Sequence, residues 1–124
     1  MLITAFDHIQ SDLDDLKSML VRALPNSKFC GFTDFSAFID FAIEKNPSVI
    51  ILENIEGNGW YLLADTVEKL TKINPDIRFI ILHWSKISKE ELLWAINSKV
   101  TSFLQKPIKY EELLEALNDI VANN

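Results

Sequence analysis

Residues Pro47 to Gly59 read Pro-Ser-Val-Ile-Ile-Leu-Glu-Asn-Ile-Glu-Gly-Asn-Gly, an apolar run cut off by a carboxylate and followed by a glycine-containing loop. Ser48 to Leu52 shows no alternation of polar and apolar residues, the pattern of a central strand covered on both faces, and covering both faces takes helices. Glu53 then stands at the strand's carboxyl end, the edge of an open α/β sheet where ligands and chemistry collect. It is the first residue to examine for function.

The remaining elements repeat the same scheme. Leu2 to Phe6 is a short apolar strand that runs into Asp7 and His8. Ser11-Asp-Leu-Asp resembles a capping box opening a helix with Leu13, Leu16, Met19, Leu20 and Ala23 at helical spacing, ended by Pro25 and Asn26. Lys28 to Phe32 is a second strand, and Thr33 or Asp34 caps a helix whose Phe35, Phe38, Phe41 and Ala42 form one apolar stripe. Trp60 to Ile73 is a third helix, stopped by Asn74-Pro75, and Ile77 to Leu82 is another buried strand. Ser88-Lys-Glu-Glu91 caps a helix through Asn97, Thr101 to Leu104 is a short strand ending in Gln105-Lys106-Pro107, and a last helix runs from Tyr110 to about Val121. Strands alternating with helices imply a parallel sheet wound right-handedly, a three-layer α/β domain spanning residues 1–124.

Composition excludes several classes of function. The net charge of −6 comes with no Lys/Arg cluster, so a nucleic acid has no electrostatic footprint to bind. No apolar run approaches the roughly 18 residues of a spanning helix, and the amino terminus lacks an export signal, so a cytoplasmic protein without a membrane partner is expected. Cys30 is the only cysteine and reads as a core residue, not a nucleophile.

Ser102 to Pro107, Ser-Phe-Leu-Gln-Lys-Pro, followed by the helix start Tyr110-Glu-Glu-Leu-Leu, resembles the end of strand five in response-regulator receiver domains of two-component signalling. Asn46 to Glu53 resembles that family's strand three, and the likeness spans essentially the whole chain. The resemblance implies a flavodoxin-like (βα)5 fold with strand order 2-1-3-4-5. It places Lys106 and Phe103 on the family's lysine and aromatic positions, and Glu53 where the family has the aspartate that accepts a phosphoryl group from a histidine kinase. It gives His83 and Ser85 the neighbourhood of the switch hydroxyl. Asp7, Glu53 and the Ile55 carbonyl are the oxygens left for a weakly held Mg²⁺.

The departures from the family pattern carry the functional expectation. Strand one of the family ends in two adjacent acids, and here Phe6 takes the first place, leaving Asp7 alone. Glu53 adds one methylene, about 1.5 Å, which displaces a nucleophile that needs in-line alignment and moves its charge toward Lys106. The expectation is an atypical receiver, acting as a phosphorylation-independent interaction module and not as an enzyme. A working phosphoacceptor is the alternative, and a plain Glu53–Lys106 ion pair with no switching role is a third reading. His83, between Leu82 and Trp84, reads more simply as a packed, hydrogen-bonded residue than as a catalyst.

Asp7, His8, Glu53 and His83 all fall at strand ends and also resemble a transition-metal ligand set, although strand alternation sends Asp7 and His8 to opposite faces. Expected partners are a histidine kinase, an output domain or a second receiver, with homodimerisation through the helix 4–strand 5–helix 5 face. On the Ser88 to Asn97 helix, Leu92, Leu93, Ala95 and Ile96 gather on one side and Trp94 falls opposite, so Trp94 is predicted to be exposed and to anchor that interface.

Overall fold

The computed structural model describes residues 1–54 and 60–122. Strands β1 (Leu2–Phe6), β2 (Lys28–Phe32), β3 (Val49–Glu53), β4 (Arg78–His83) and β5 (Val100–Gln105) alternate with helices α1 (Gln10–Ala23), α2 (Phe35–Lys45), α3 (Tyr61–Ile73), α4 (Lys89–Ile96) and α5 (Tyr110–Ala122). All strand pairs are parallel and the sheet order is β2-β1-β3-β4-β5. The fold is the flavodoxin-like α/β sandwich expected from the sequence.

The lack of alternation in β3 has a direct cause. Val49 and Ile51 pack with Leu13, Leu16 and Leu20 of α1 and Leu113 and Leu117 of α5. Ile50 and Leu52 face the other way, into a second core with Phe38 of α2 and Leu63, Val67 and Leu70 of α3. Period two persists along the strand, but both faces are apolar because helices cover both. β4 repeats this, with Ile80 and Leu82 in the first core and Phe79 and Ile81 in the second.

Helix starts match the capping signals in part. Asp34 caps α2 by accepting a hydrogen bond from the Ala37 N–H at 3.0 Å, and Ser88 caps α4 by accepting from Glu91 N–H at 3.1 Å. The capping box expected at Ser11 does not form. α1 begins at Gln10 with Ile9 as its cap and no side-chain cap bond, while Asp7 Oδ1 accepts from the Ile9 N–H at 2.9 Å. Asp12, the acid beside Ser11, is drawn inward to the ammonium of Lys106 instead.

The orientation of α4 also differs from expectation. Ala95 is buried and Glu91 and Trp94 are half-buried, an i, i+3, i+4 face turned toward the sheet. Trp94 packs on the second core and lies 5.9 Å from the Trp60 ring, whereas Leu92, Leu93 and Ile96 are exposed, Ile96 at 75%. Glu91 helps set this face, because its Oε2 accepts a hydrogen bond from Asn54 Nδ2 at 3.3 Å, just beyond β3. An arc of leucine and isoleucine competes with one of tryptophan and alanine over two turns, and the bulky ring goes inward. Trp94 is therefore not an exposed anchor.

Candidate functional site

β1 and β3 are neighbours in the sheet and β5 lies beyond β4, yet the residues at or just past the carboxyl ends of all three enter one pocket. Asp7 and Glu53 are buried there, and so is Lys106, whose side chain crosses to both. Lys106 Nζ donates to Asp7 Oδ2 at 2.7 Å and to Glu53 Oε2 at 2.8 Å. A third carboxylate, Asp12 on the first turn of α1, places Oδ2 2.7 Å from the same ammonium as a charge partner, off the line of a hydrogen bond. The indole of Trp84 covers the ammonium, with Nζ 4.6 Å from the ring centroid, within cation–π range. The Lys106 backbone N–H donates to the His83 carbonyl at 2.7 Å, tying the loop after β5 to the end of β4.

Both oxygens of Glu53 are engaged. Oε2 is held by Lys106, and Oε1 accepts from the His8 backbone N–H at 3.0 Å and from His8 Nδ1 at 2.6 Å. A carboxylate only accepts, so Nδ1 carries the proton in this pair. The Glu53 side chain is 0% exposed, against 52% for His8.

The charges are unequally matched. Burial raises the Glu53 carboxyl, but the hydrogen bonds from His8 and Lys106 outweigh it and hold the group below its ordinary value. Asp7 goes the other way: burial dominates over its bonds to Lys106 and Ile9, and the nearby Glu53 charge adds to the rise. For Lys106, burial is more than offset by Asp12, Asp7 and Glu53, so the ammonium is held above its usual range. The lysine stays charged and acts as the counter-ion of the carboxylates.

Two expectations from the sequence change here. Asp7 and His8 do share one site, with Asp7 Oδ1 4.0 Å from His8 Nδ1. The alternation argument fails because β1 ends at Phe6 and His8 sits in a bend, where successive side chains need not oppose. His83 does not join them. Its Nδ1 donates to the Ser85 carbonyl at 2.6 Å and its ring packs edge-on against Phe103, 6.3 Å away, so His83, Ser85 and Phe103 form a neighbouring group. Ile55 lies outside the described residues. Asp12 joins the site without having been expected there, yet the sequence holds a signal for it: the residue stands four positions before Leu16 and eight before Leu20, an acid on the inward stripe of α1.

No family model matches the chain, and no curated protein matches it. Solved structures do. The signal receiver domain of a DNA-binding response regulator from Colwellia psychrerythraea 34H superposes with a TM-score of 0.81 at 15% identity, covering 98% of each chain. The chain has the receiver-domain fold. A response-regulator receiver domain protein from Clostridium thermocellum gives a TM-score of 0.78 at 19% identity, covering 98% of this chain and 94% of that one. The pilus assembly protein CpaE of Caulobacter crescentus CB15 gives 0.76 at 14% identity, covering 96% and 98%.

The receiver fold brings with it the question of Mg²⁺. Such a hard cation takes oxygen ligands in near-octahedral geometry. Here one oxygen of each buried carboxylate holds an ammonium, and the space between the other two is faced by an imidazole N–H. The described residues therefore do not fit Mg²⁺ in this arrangement.

Proposed function

We propose that this domain is an atypical receiver that works in two-component-type signalling as a phosphorylation-independent protein-interaction module. The observation that carries the reading is the closed Glu53 carboxylate, held on both oxygens by Lys106 and His8 and shielded from solvent. A phosphoryl acceptor must present a lone pair in line with the incoming phosphorus, and among the described residues Oε1 is taken twice by His8 while Oε2 is held by Lys106 in a side chain with no exposed surface, which opposes such an approach. The negative charge that a phosphoryl group would bring against Lys106 is supplied by side chains, so the domain rests in one state without modification and without catalysis of its own.

The similarity to receivers of response regulators and to CpaE proteins supports protein partners: a histidine kinase, an output domain or a second copy. Leu92, Leu93 and Ile96 give α4 an apolar outer face for such contact, in place of Trp94. No helix among the described residues is long and apolar enough to cross a membrane, and a cytoplasmic setting accords with the reading.

Incubation with acetyl phosphate and Mg²⁺ followed by intact mass spectrometry is the test. No added mass is expected. A gain of one phosphoryl group that Glu53→Gln abolishes would overturn the reading and make the domain a working acceptor.

A further inference from the structure

The sheet has two edges, β2 and β5, and they differ. β5 pairs with β4 through a register shift at Phe79 and Ile80, an irregularity of the kind that turns an edge away from new partners. β2 pairs with β1 in unbroken register from Lys28 to Phe32, with no proline and with its one charge, Lys28, at the first position. The direction of its backbone groups follows from the bonds at its ends: the Lys28 N–H donates to the Met1 carbonyl at 2.9 Å, and the Phe32 carbonyl accepts from the Asp7 N–H at 3.1 Å. The Cys30 carbonyl turns the same way, accepting from Thr4 Oγ1 at 2.8 Å. Lys28, Cys30 and Phe32 thus turn their backbone groups to β1, and those of Phe29 and Gly31 point outward from the edge.

Those two residues complement each other across a two-fold axis. An antiparallel copy of β2 centred on Cys30 sets Phe29 opposite Gly31 and Gly31 opposite Phe29, so each outward N–H and C=O meets its counterpart in a hydrogen-bonded pair. Centring on Phe29 or on Gly31 would engage only one of the two and shorten the overlap. The side chains suit the same register. Gly31 is exposed, and a Cβ there would stand 3.2 Å from Leu13 Cδ2 and 3.3 Å from the Phe29 ring, crowding that keeps the position bare opposite Phe29 of the copy. An aromatic set across from a strand glycine covers its backbone. Charge agrees as well, because Lys28 falls across from Phe32, beside the turn that carries Asp34, and not across from another lysine. A parallel copy would instead leave a fresh edge open and extend without closing.

We propose that β2 is a self-association edge: two copies of this chain join β2 to β2, antiparallel about Cys30, into one continuous sheet. Cys30 then meets Cys30 of the second copy as a non-hydrogen-bonded pair with Cα atoms about 4.5 Å apart, inside the range of about 4.4 to 6.8 Å that a disulfide can bridge. The edge lies at the opposite end of the sheet from β5, against which α4 packs, so it is separate from the α4 face. It depends neither on the pocket nor on the signalling role.

The test uses the reduced wild-type chain, with sedimentation and amide hydrogen exchange by NMR across a concentration series, and with diamide as a probe that takes two electrons and two protons from a pair of thiols to leave their disulfide. A monomer–dimer equilibrium is expected, with the Phe29 and Gly31 amides exchanging more slowly as concentration rises and a Cys30–Cys30 disulfide forming faster in buffer than in urea. Cys30→Lys should weaken dimerisation about fivefold, since it sets like charges directly opposite, while Ile96→Lys leaves the Phe29 and Gly31 protection unchanged. The wild-type exchange data decide even if Cys30→Lys fails to fold. A monomer at every concentration, a dimer whose Phe29 and Gly31 amides exchange as fast as in the monomer, or a disulfide that forms no faster than in urea would overturn the proposal.

Discussion

At the residue scale, the pocket turns on the Lys106 ammonium, buried to 2% exposure against two carboxylates that are equally hidden. Removing one partner of such a group leaves uncompensated charge in a poorly solvated place, typically a loss of about 3–5 kcal/mol. Lys106→Met should therefore lower the urea-unfolding free energy at neutral pH by that order. Its pH dependence gives a second signature. A lysine whose folded-state value is raised stabilises fully below its ordinary 10.5 and loses that contribution as pH rises through the folded value. The alkaline decline due to Lys106 should vanish in Lys106→Met; an unchanged decline would refute the pairing.

The acid side is less clean, because the two carboxylates oppose one another. Glu53, held low, contributes stability above 4.5 that is lost as pH falls through its folded value, whereas Asp7, held above 3.8, carries a penalty that acid relieves. Asp7, Glu53 and Lys106 are legible in the sequence as site residues because each directly ends an apolar strand or stands just past one. His8 is legible as a strand-end candidate but not as the partner of Glu53, and Asp12 and Trp84 are not legible, since their roles arise from a helix start and a loop that only tertiary structure brings over the lysine.

At the scale of elements, β1, β3 and β4 can be read from sequence because strands buried on both faces leave unbroken apolar runs, and α2 because Asp34 and the phenylalanine stripe agree. α4 cannot, since its eight residues carry apolar side chains on both sides and no charge pattern selects one. The inward side is the one that carries Trp94 onto the second core, and Glu91 on the same side accepts from Asn54 just beyond β3. The orientation has measurable consequences. Trp94→Ala should destabilise by about 2 kcal/mol, less than the 3–5 of a fully buried aromatic, while Ile96→Lys should stay within about 0.5 kcal/mol of wild type. If α4 is the contact face, Ile96→Lys should also reduce any self-association seen in sedimentation. The opposite ranking of stabilities would place Trp94 outside.

At the scale of the whole molecule, 15% identity coexists with a TM-score of 0.81 because shape depends on where apolar runs and turns fall, while the pocket depends on a handful of positions. The receiver fold thus persists through wide change in sequence. The Lys106–Asp7 contact spans 99 positions of sequence and the Lys106–Glu53 contact spans 53. As the chain leaves the ribosome, the two acids emerge long before the base that neutralises them, so the charge pairing of the pocket closes only once β5 has been made. The pocket is then expected to reward completion of the chain. Separate peptides 1–97 and 98–124 should reassemble into a cooperatively unfolding domain, and Lys106→Met in the shorter one should weaken that reassembly although its helix and core leucines are intact; equal recovery, followed by circular dichroism, would show that the late-arriving charge has no part in closing the fold.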